Sequence, residues 1–290
     1  MPSLGLTGAS GQLAHSVVRH LLARQPSAEL IAVTRTPESL ANRFAANVHP
    51  RRGDFNDKDS LIAAFAGVER LLIIPGSDLA PDVRPRQHAN AVDAAVAAGV
   101  KHIIYVSSIG ARPGPPDGIL ETHWATEQSV IASGLPWTLI RMNVYIDSQI
   151  DGLKRAVASG TYGASAAAPL AYVTRDDLGA ISAAVLGAPG HAGVTYHATG
   201  PASVTAAQLA EAASRATGTP INFVSQTPEE ATKGLAAAGL PAFLVDVIGR
   251  FQQAGRDGAF DLVSGDIERL TGRKATLATD FVGRAFGVRT

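Results

Sequence analysis

Short apolar runs alternate with amphipathic stretches along the first 141 residues. Runs that are apolar on both faces predict strands at Leu4–Thr7, Leu30–Thr34, Arg70–Ile74, His102–Val106 and Trp137–Arg141. A weaker strand is predicted at Val48–Arg52. Helical periodicity between them predicts helices at 12–24, 38–46, 58–66, 87–98 and 121–133. Strict alternation of doubly apolar strands with helices is the pattern of a parallel sheet covered on both sides. The punctuation agrees. Ala66-Gly67-Val68, Ala98-Gly99-Val100 and Ser133-Gly134-Leu135 each put Gly where a left-handed helix stop is needed and follow it with an apolar residue. Thr36-Pro37 has the form of an N-cap with Pro at the first helical position.

Beyond about residue 146 the pattern loosens. Helices are predicted at 148–158, 177–187, 206–216, 229–238 and 242–254, with short strands at Thr195–Ala198 and Ile221–Val224. Thr205 with Gln208, and Thr227-Pro228 with Glu230, have the capping-box spacing. The expected organisation is an α/β, Rossmann-type doubly wound parallel sheet over residues 1–146. A smaller, mostly helical substrate-binding region over 147–290 is partly interleaved with it and walls a cleft. The breaker-rich loop Gly110–Gly118 is expected to border that cleft.

The junction between the first strand and first helix carries candidate chemistry. Thr7-Gly8-Ala9-Ser10-Gly11-Gln12-Leu13-Ala14 reads G-x-x-G-x-x-A. Gly8 permits a tight turn, Gly11 lets backbone approach a pyrophosphate, and Ala14 is small enough for close helix–strand packing. Free amides of Ser10, Gln12 and Leu13 at the helix start would face the phosphates. The end of the second strand selects the coenzyme. An acidic residue there would bond a ribose 2′-hydroxyl; this chain has Arg35, which suits a 2′-phosphate and therefore NADPH. Further coenzyme contacts are expected at strand ends: Asp54 and Phe55 beside the adenine, Pro75, Gly76 and Ser77 beside a ribose, and Ser107 and Ser108 near the nicotinamide.

Composition narrows the remaining classes. Formal net charge is zero, which argues against a nucleic-acid partner. There is no cysteine, so disulfides, thiolate catalysis and cysteine metal sites are excluded. The eight histidines are scattered, and no metal site is expected. No apolar run reaches membrane-spanning length, and the start lacks the pattern of a signal peptide, so a cytoplasmic protein without a membrane partner is expected. Exposed helix faces leave room for a homodimer.

These residues carry a resemblance. Thr7–Ala14 is similar to the opening segment of the NmrA-like atypical short-chain dehydrogenase/reductases. Within that group the chain looks most like the NADPH-dependent type-2 quinone oxidoreductases and triphenylmethane reductases. The stretches Val33–Pro37, Ala97–Ile103, His123–Glu127, Thr174–Asp177 and Asp266–Gly272 carry the likeness over nearly the whole chain. It departs in having Ala14 where Gly is frequent, and in placing Asn143 one residue later than relatives do after Arg141.

Ordinary short-chain dehydrogenases carry Tyr-x-x-x-Lys on the helix after strand five, as proton donor and its activator. This chain offers His123-x-x-x-Glu127 there. Two readings stay open: a local helix pair, or a catalytic His123 that faces the cleft, with Glu127 fixing its tautomer. A ketone acceptor would need a good acid, whereas a quinone gives a weakly basic anion that water can protonate. Trp124, Asn143, Tyr145 and Phe243 are the expected substrate contacts, the aromatics suiting a planar acceptor. The resemblance implies an NADPH-dependent reductase of quinones or similar conjugated acceptors. It also leaves open an NADP(H)-sensing regulator without turnover, or a specialised biosynthetic reductase.

Overall fold

A computed structural model describes residues 3–40, 43–165 and 168–287. The chain forms two compact units, Met1–Arg141 with Leu178–His197, and Met142–Asp177 with Ala198–Thr290.

The first unit is built on strands β1 (Leu4–Leu6), β2 (Leu30–Thr34), β3 (Val48–Arg52), β4 (Arg70–Ile73), β5 (His102–Ser108), β6 (Trp137–Met142) and β8 (Val194–Ala198). β7 (Thr161–Ser165) belongs to the second unit. The sheet order is β3-β2-β1-β4-β5-β6-β8, and the pairs from β3 through β5 are parallel. β1 to β3 run outward to one edge, and β4 onward run to the other, so the order reverses beside β1. That reversal is where a doubly wound sheet opens a crevice. Pro50 lies in β3, the edge strand, where a missing N–H is tolerated.

Helices α1 (Gln12–Arg24), α2 (Lys58–Phe65), α3 (Val83–Ala97), α4 (Ile119–Ala132) and α6 (Arg175–Gly187) cover the sheet, α5 (Ile150–Ser159) lying in the other unit. Ile31, Val33, Leu71, Ile73, Ile103 and Tyr105 point to one face and pack with Leu61, Phe65, Ala91, Ala95 and Val130 of α2, α3 and α4. Alternate residues Leu30, Ala32, Leu72 and Ile104 are equally buried. On that side α1 and α6 approach closely, because a Cβ on Gly179 would collide with Ser16.

The glycine stops form as expected: Gly67, Gly99 and Gly134 have φ of 77°, 74° and 75°. At the end of α3, Val100 N returns to Ala95 O and Gly99 N to Val96 O, a Schellman closure. Two expectations need correction. The helix predicted at 38–46 is reduced to a 3-10 turn, Pro37–Leu40, because Ser39 bonds back to Thr36 O with both its amide and its hydroxyl. Residues 41–42 lie outside the described residues, and 43–47 are turn and bend. Helix α3 begins four residues before its predicted start, since Pro85 falls in the first turn where no intrahelical N–H is needed.

The second unit holds α5, β7, α7 (Ala206–Thr217), β9 (Asn222–Gln226), α8 (Pro228–Ala237), α9 (Ala242–Arg256), α10 (Asp266–Thr271) and α11 (Ala278–Ala285). Leu153, Tyr162, Leu209, Ala213, Ala278 and Val282 share one core. Both capping boxes are closed, at Thr205 with Gln208 and at Thr227 with Glu230. Strand β7 escaped prediction because Gly163 and Ala164, poor strand formers, follow Thr161-Tyr162 and leave no apolar alternation; it pairs in parallel with β9, Thr161 opposite Asn222. α10 and α11 also escaped prediction, each having eight residues or fewer, too short for a periodic signal.

Candidate coenzyme site

A pocket of about 360 Å³ opens at the carboxyl ends of β1 to β4, within the first unit. Its floor is the turn between β1 and α1. Gly8 sits at φ 65°, a conformation costly for any residue with a Cβ. Gly11 donates to Gly8 O at 2.9 Å, and a Cβ on Gly11 would lie 3.2 Å from that same oxygen. Ala14 is fully buried, as close packing of α1 requires. The N-cap of α1 is Gly11, which brings no capping side chain, so the first-turn amides are left for another acceptor.

Thr7 lines the pocket with its hydroxyl committed: Oγ1 donates to Ile74 O at 3.0 Å and accepts from Ile74 N at 2.9 Å. It clamps the ends of β1 and β4 and so fixes the pocket's width. Ser10 also lines it. Gln12 is exposed and Leu13 is buried in the core, and neither side chain lines the pocket; what they bring to its floor is their amides.

Arg35 follows β2 and enters the pocket wall exposed, with no hydrogen bond or ion pair among the described residues. At the end of β3, Gly53 lets the chain pass close to β2, because a Cβ would lie 2.5 Å from Val33 Cγ1. Asp54 then closes a turn, its Oδ1 accepting from Asn56 N at 2.9 Å. Asp54, Phe55, Pro75, Gly76 and Ser77 all line the pocket, as do Asn56, Asp78 and Gln87, which sequence reasoning missed. Gln87 carries no motif; only the docking of α3 brings it there.

Ser107 and Ser108 do not line the pocket. Ser107 is fully buried and donates to Glu127 Oε1 at 2.5 Å; Ser108 donates to the Ile109 carbonyl at 2.9 Å. Their hydroxyls are therefore committed inside the protein.

The helix after β5 also departs from expectation. His123 is 1 % exposed, so it does not face an open cleft. Glu127 does not fix its tautomer. Arg84 Nη2 donates to His123 Nε2 at 3.0 Å, which leaves Nδ1–H to donate to the Tyr105 hydroxyl at 2.9 Å. Glu127, also 1 % exposed, accepts from Arg141 Nε at 2.8 Å and Nη2 at 2.6 Å, as well as from Ser107. Helical spacing puts the two side chains near one another; the partners reaching in from α3, β5 and β6 decide what each one bonds. Burial, then the neighbouring Arg84, hold His123 well below the ordinary imidazole range and His88 down to about 3. His88 Nδ1 lies 2.8 Å from Thr126 Oγ1.

The expected acceptor contacts fall in both units. Trp124 is half-buried in the first unit. Asn143, in the second, is 1 % exposed, with Nδ2 donating to Phe260 O at 2.9 Å and Oδ1 accepting from Val144 N at 2.7 Å, so it has no free polar atom for a substrate. The guanidinium of Arg175, ion-paired with Asp147, lies 4.8 Å above the ring of Tyr145, and burial raises that phenol's pKa. Phe243 is exposed on α9. Among the described residues no group of three or more metal-ligating side chains gathers, and no helix is long and apolar enough to cross a membrane.

Residues 8–189, which hold every pocket-lining residue except Thr7, match the family described as NAD(P)H-binding. The chain belongs to that family. It is 31% identical to quinone oxidoreductase 2 of Escherichia coli over 98% of this chain and 99% of that protein. The structure of that NADPH-dependent quinone oxidoreductase complexed with NADPH superposes with a TM-score of 0.90 at 30% identity, covering 98% and 99% of the two chains. Citrobacter sp. triphenylmethane reductase complexed with NADP(H) gives a TM-score of 0.88 at 32% identity, over 97% and 99%. NAD(P)H azoreductase of Xenophilus azovorans is 27% identical over 97% of this chain and 98% of that protein. The α/β Rossmann class and the likeness to NmrA-like reductases, read above from the residues, are both supported by these matches.

Proposed function

We propose that the chain is an NADPH-dependent oxidoreductase that passes hydride to a quinone or a similar planar conjugated acceptor. The observation that carries this is Arg35: a guanidinium without a protein partner among the described residues, in the wall of a pocket floored by Gly8 and Gly11. A cradle that a Cβ would fill, unclaimed helix-start amides and a fixed cation fit the pyrophosphate and 2′-phosphate of NADP(H).

In this reading the backbone of Gly8 to Leu13 receives the pyrophosphate and Arg35 the 2′-phosphate. Asp54 and Phe55 flank the adenine, and Pro75 to Ser77 lie along a ribose. The bound coenzyme supplies the hydride. The protein's part is orientation, exclusion of water and electrostatics. His123 and Glu127 are enclosed and fully engaged, and we assign them a positioning role that holds α4 against β5 and β6. Without a protein acid on that helix, the acceptor must yield an anion that solvent protonates. A quinone does so: it takes one hydride from NADPH and one proton from water and becomes a hydroquinone. The similarity to quinone oxidoreductase 2 supports the same acceptor class. We further place the protein in the cytoplasm, among the atypical short-chain dehydrogenase/reductases, acting on a small molecule.

The test is NADPH oxidation followed at its nicotinamide absorbance with benzoquinones, naphthoquinones, azo dyes and triphenylmethane dyes. Turnover across several quinones, faster with NADPH than with NADH, is expected. Tight NADPH binding without turnover on any acceptor would overturn the proposal in favour of a sensor. Turnover confined to one polycyclic compound would point to a specialised biosynthetic reductase.

A further inference from the structure

Gln87 lies in the pocket wall, is 7 % exposed and belongs to none of the sequence motifs. A chain of side-chain amides fixes its orientation. It starts at Asp54, whose Oδ1 already accepts from the backbone N–H of Asn56. Asn56 therefore turns its amide nitrogen to Asp54 Oδ1, at 3.3 Å, and its oxygen the other way. That oxygen accepts from Gln87 Nε2, also at 3.3 Å. The remaining atom, Gln87 Oε1, is an acceptor with no protein partner among the described residues. It occupies space that only a glycine leaves open, since a Cβ on Gly76 would lie 2.7 Å from it. Phe55 packs on the other side of that space, 3.6 Å from the same Cβ position, and is itself tied to α3 by Asn90 Nδ2 donating to its carbonyl at 2.9 Å.

We propose that Gln87 reads the base of the coenzyme, its Oε1 accepting a hydrogen bond from the exocyclic amine of a 6-aminopurine. This rests on the reading of the pocket as an NADPH site and deepens it. A base with an oxygen at that position brings acceptor against acceptor. Gln87 cannot flip its amide to suit that base without also breaking its bond to Asn56. The cost of the mismatch falls on binding of the coenzyme.

The experiment titrates the protein with NADPH and with its hypoxanthine analogue, in which a 6-oxo group replaces the 6-amino group and N1 carries a proton, and reads both dissociation constants by nicotinamide fluorescence. NADPH is expected to bind roughly three- to tenfold tighter, the range of one net hydrogen bond. In Gln87→Met, which keeps length without polarity, the ratio should fall to about one. Equal affinity of the wild-type protein for the two coenzymes overturns the proposal while leaving the NADPH reading intact. So does a ratio retained in Gln87→Met. A wild-type protein that binds neither coenzyme overturns both. If Gln87→Met fails to fold, the same ratio is read in Gln87→Leu, where a value near one supports the proposal and a retained preference overturns it.

Discussion

Two polar regions of the first unit, the pocket at the ends of β1 to β4 and the cluster under α4, are chemically rich in opposite ways. In the pocket, Arg35 and Gln87 Oε1 have no protein partner among the described residues, and the helix-start amides are uncapped. Under α4, Ser107, His123, Glu127 and Arg141 are each bonded to one another or to Tyr105 and Arg84. Both regions contain residue types that do chemistry. The difference teaches that a ligand site keeps donors and acceptors unsatisfied toward open space, whereas a structural cluster satisfies most of them internally, here all but Arg84 Nε and His88 Nε2, because an unmet polar atom without access to water is costly.

The largest expected effect breaks the structural side. Arg141→Ala leaves Glu127 charged and enclosed, which should destabilise the fold by about 3–5 kcal/mol. Urea unfolding measures it, and a loss well below 1 kcal/mol would show that the pair is not the clamp described. The next breaks the pocket side. Arg35→Asp replaces a cation with an anion where the proposed function puts the 2′-phosphate, and should weaken NADPH by roughly 10- to 150-fold while barely changing NADH. Isothermal titration with both coenzymes reads this, and equal losses for the two would remove Arg35 from the 2′-phosphate.

A third prediction uses pH. His88 is held neutral by burial and by Arg84, with Tyr105 and His123 also beside it, and its folded pKa of about 3 lies below the unfolded value of 6.5. Between those values the unfolded chain binds a proton that the folded chain does not. Stability is therefore complete above about pH 6.5 and falls as the pH drops toward 3, by about 1.4 kcal/mol per pH unit for this group. Melting temperatures at about pH 7 and pH 5 should differ accordingly, and His88→Asn should make that dependence shallower by this group's share, the shares of His123 and His102, also held below their ordinary range, remaining. The smallest effect sharpens the comparison: Tyr105→Phe leaves His123 Nδ1–H without its acceptor and should cost about 1–3 kcal/mol of stability, with NADPH affinity changed less than twofold. A large affinity loss with little destabilisation would move this cluster to the functional side.

Much of this contrast was already legible in the residues, and the illegible part has a common cause. The glycine loop, Arg35 and the strand-end residues Asp54 to Phe55 and Pro75 to Ser77 were readable because each is set by position along one strand–turn–helix unit. His123 and Glu127 were readable as neighbours on one helix face, but their partners come from α3, β5 and β6, 14 to 39 residues away. Gln87 was invisible for the same reason: its meaning depends on Asn56, 31 residues earlier, and on Gly76. Strand β7 existed only through its pairing with β9.

By itself, then, the sequence determined what local forces determine: the alternation of strands and helices, the glycine helix stops, the capping boxes and the glycine-rich turn between β1 and α1. Hydrophobic periodicity and backbone sterics act within a few residues, so they are written in the chain directly. The tertiary structure decided which polar atoms face open space and which are met inside. That choice turns on distances between elements far apart in sequence, and on desolvation, which no single residue carries.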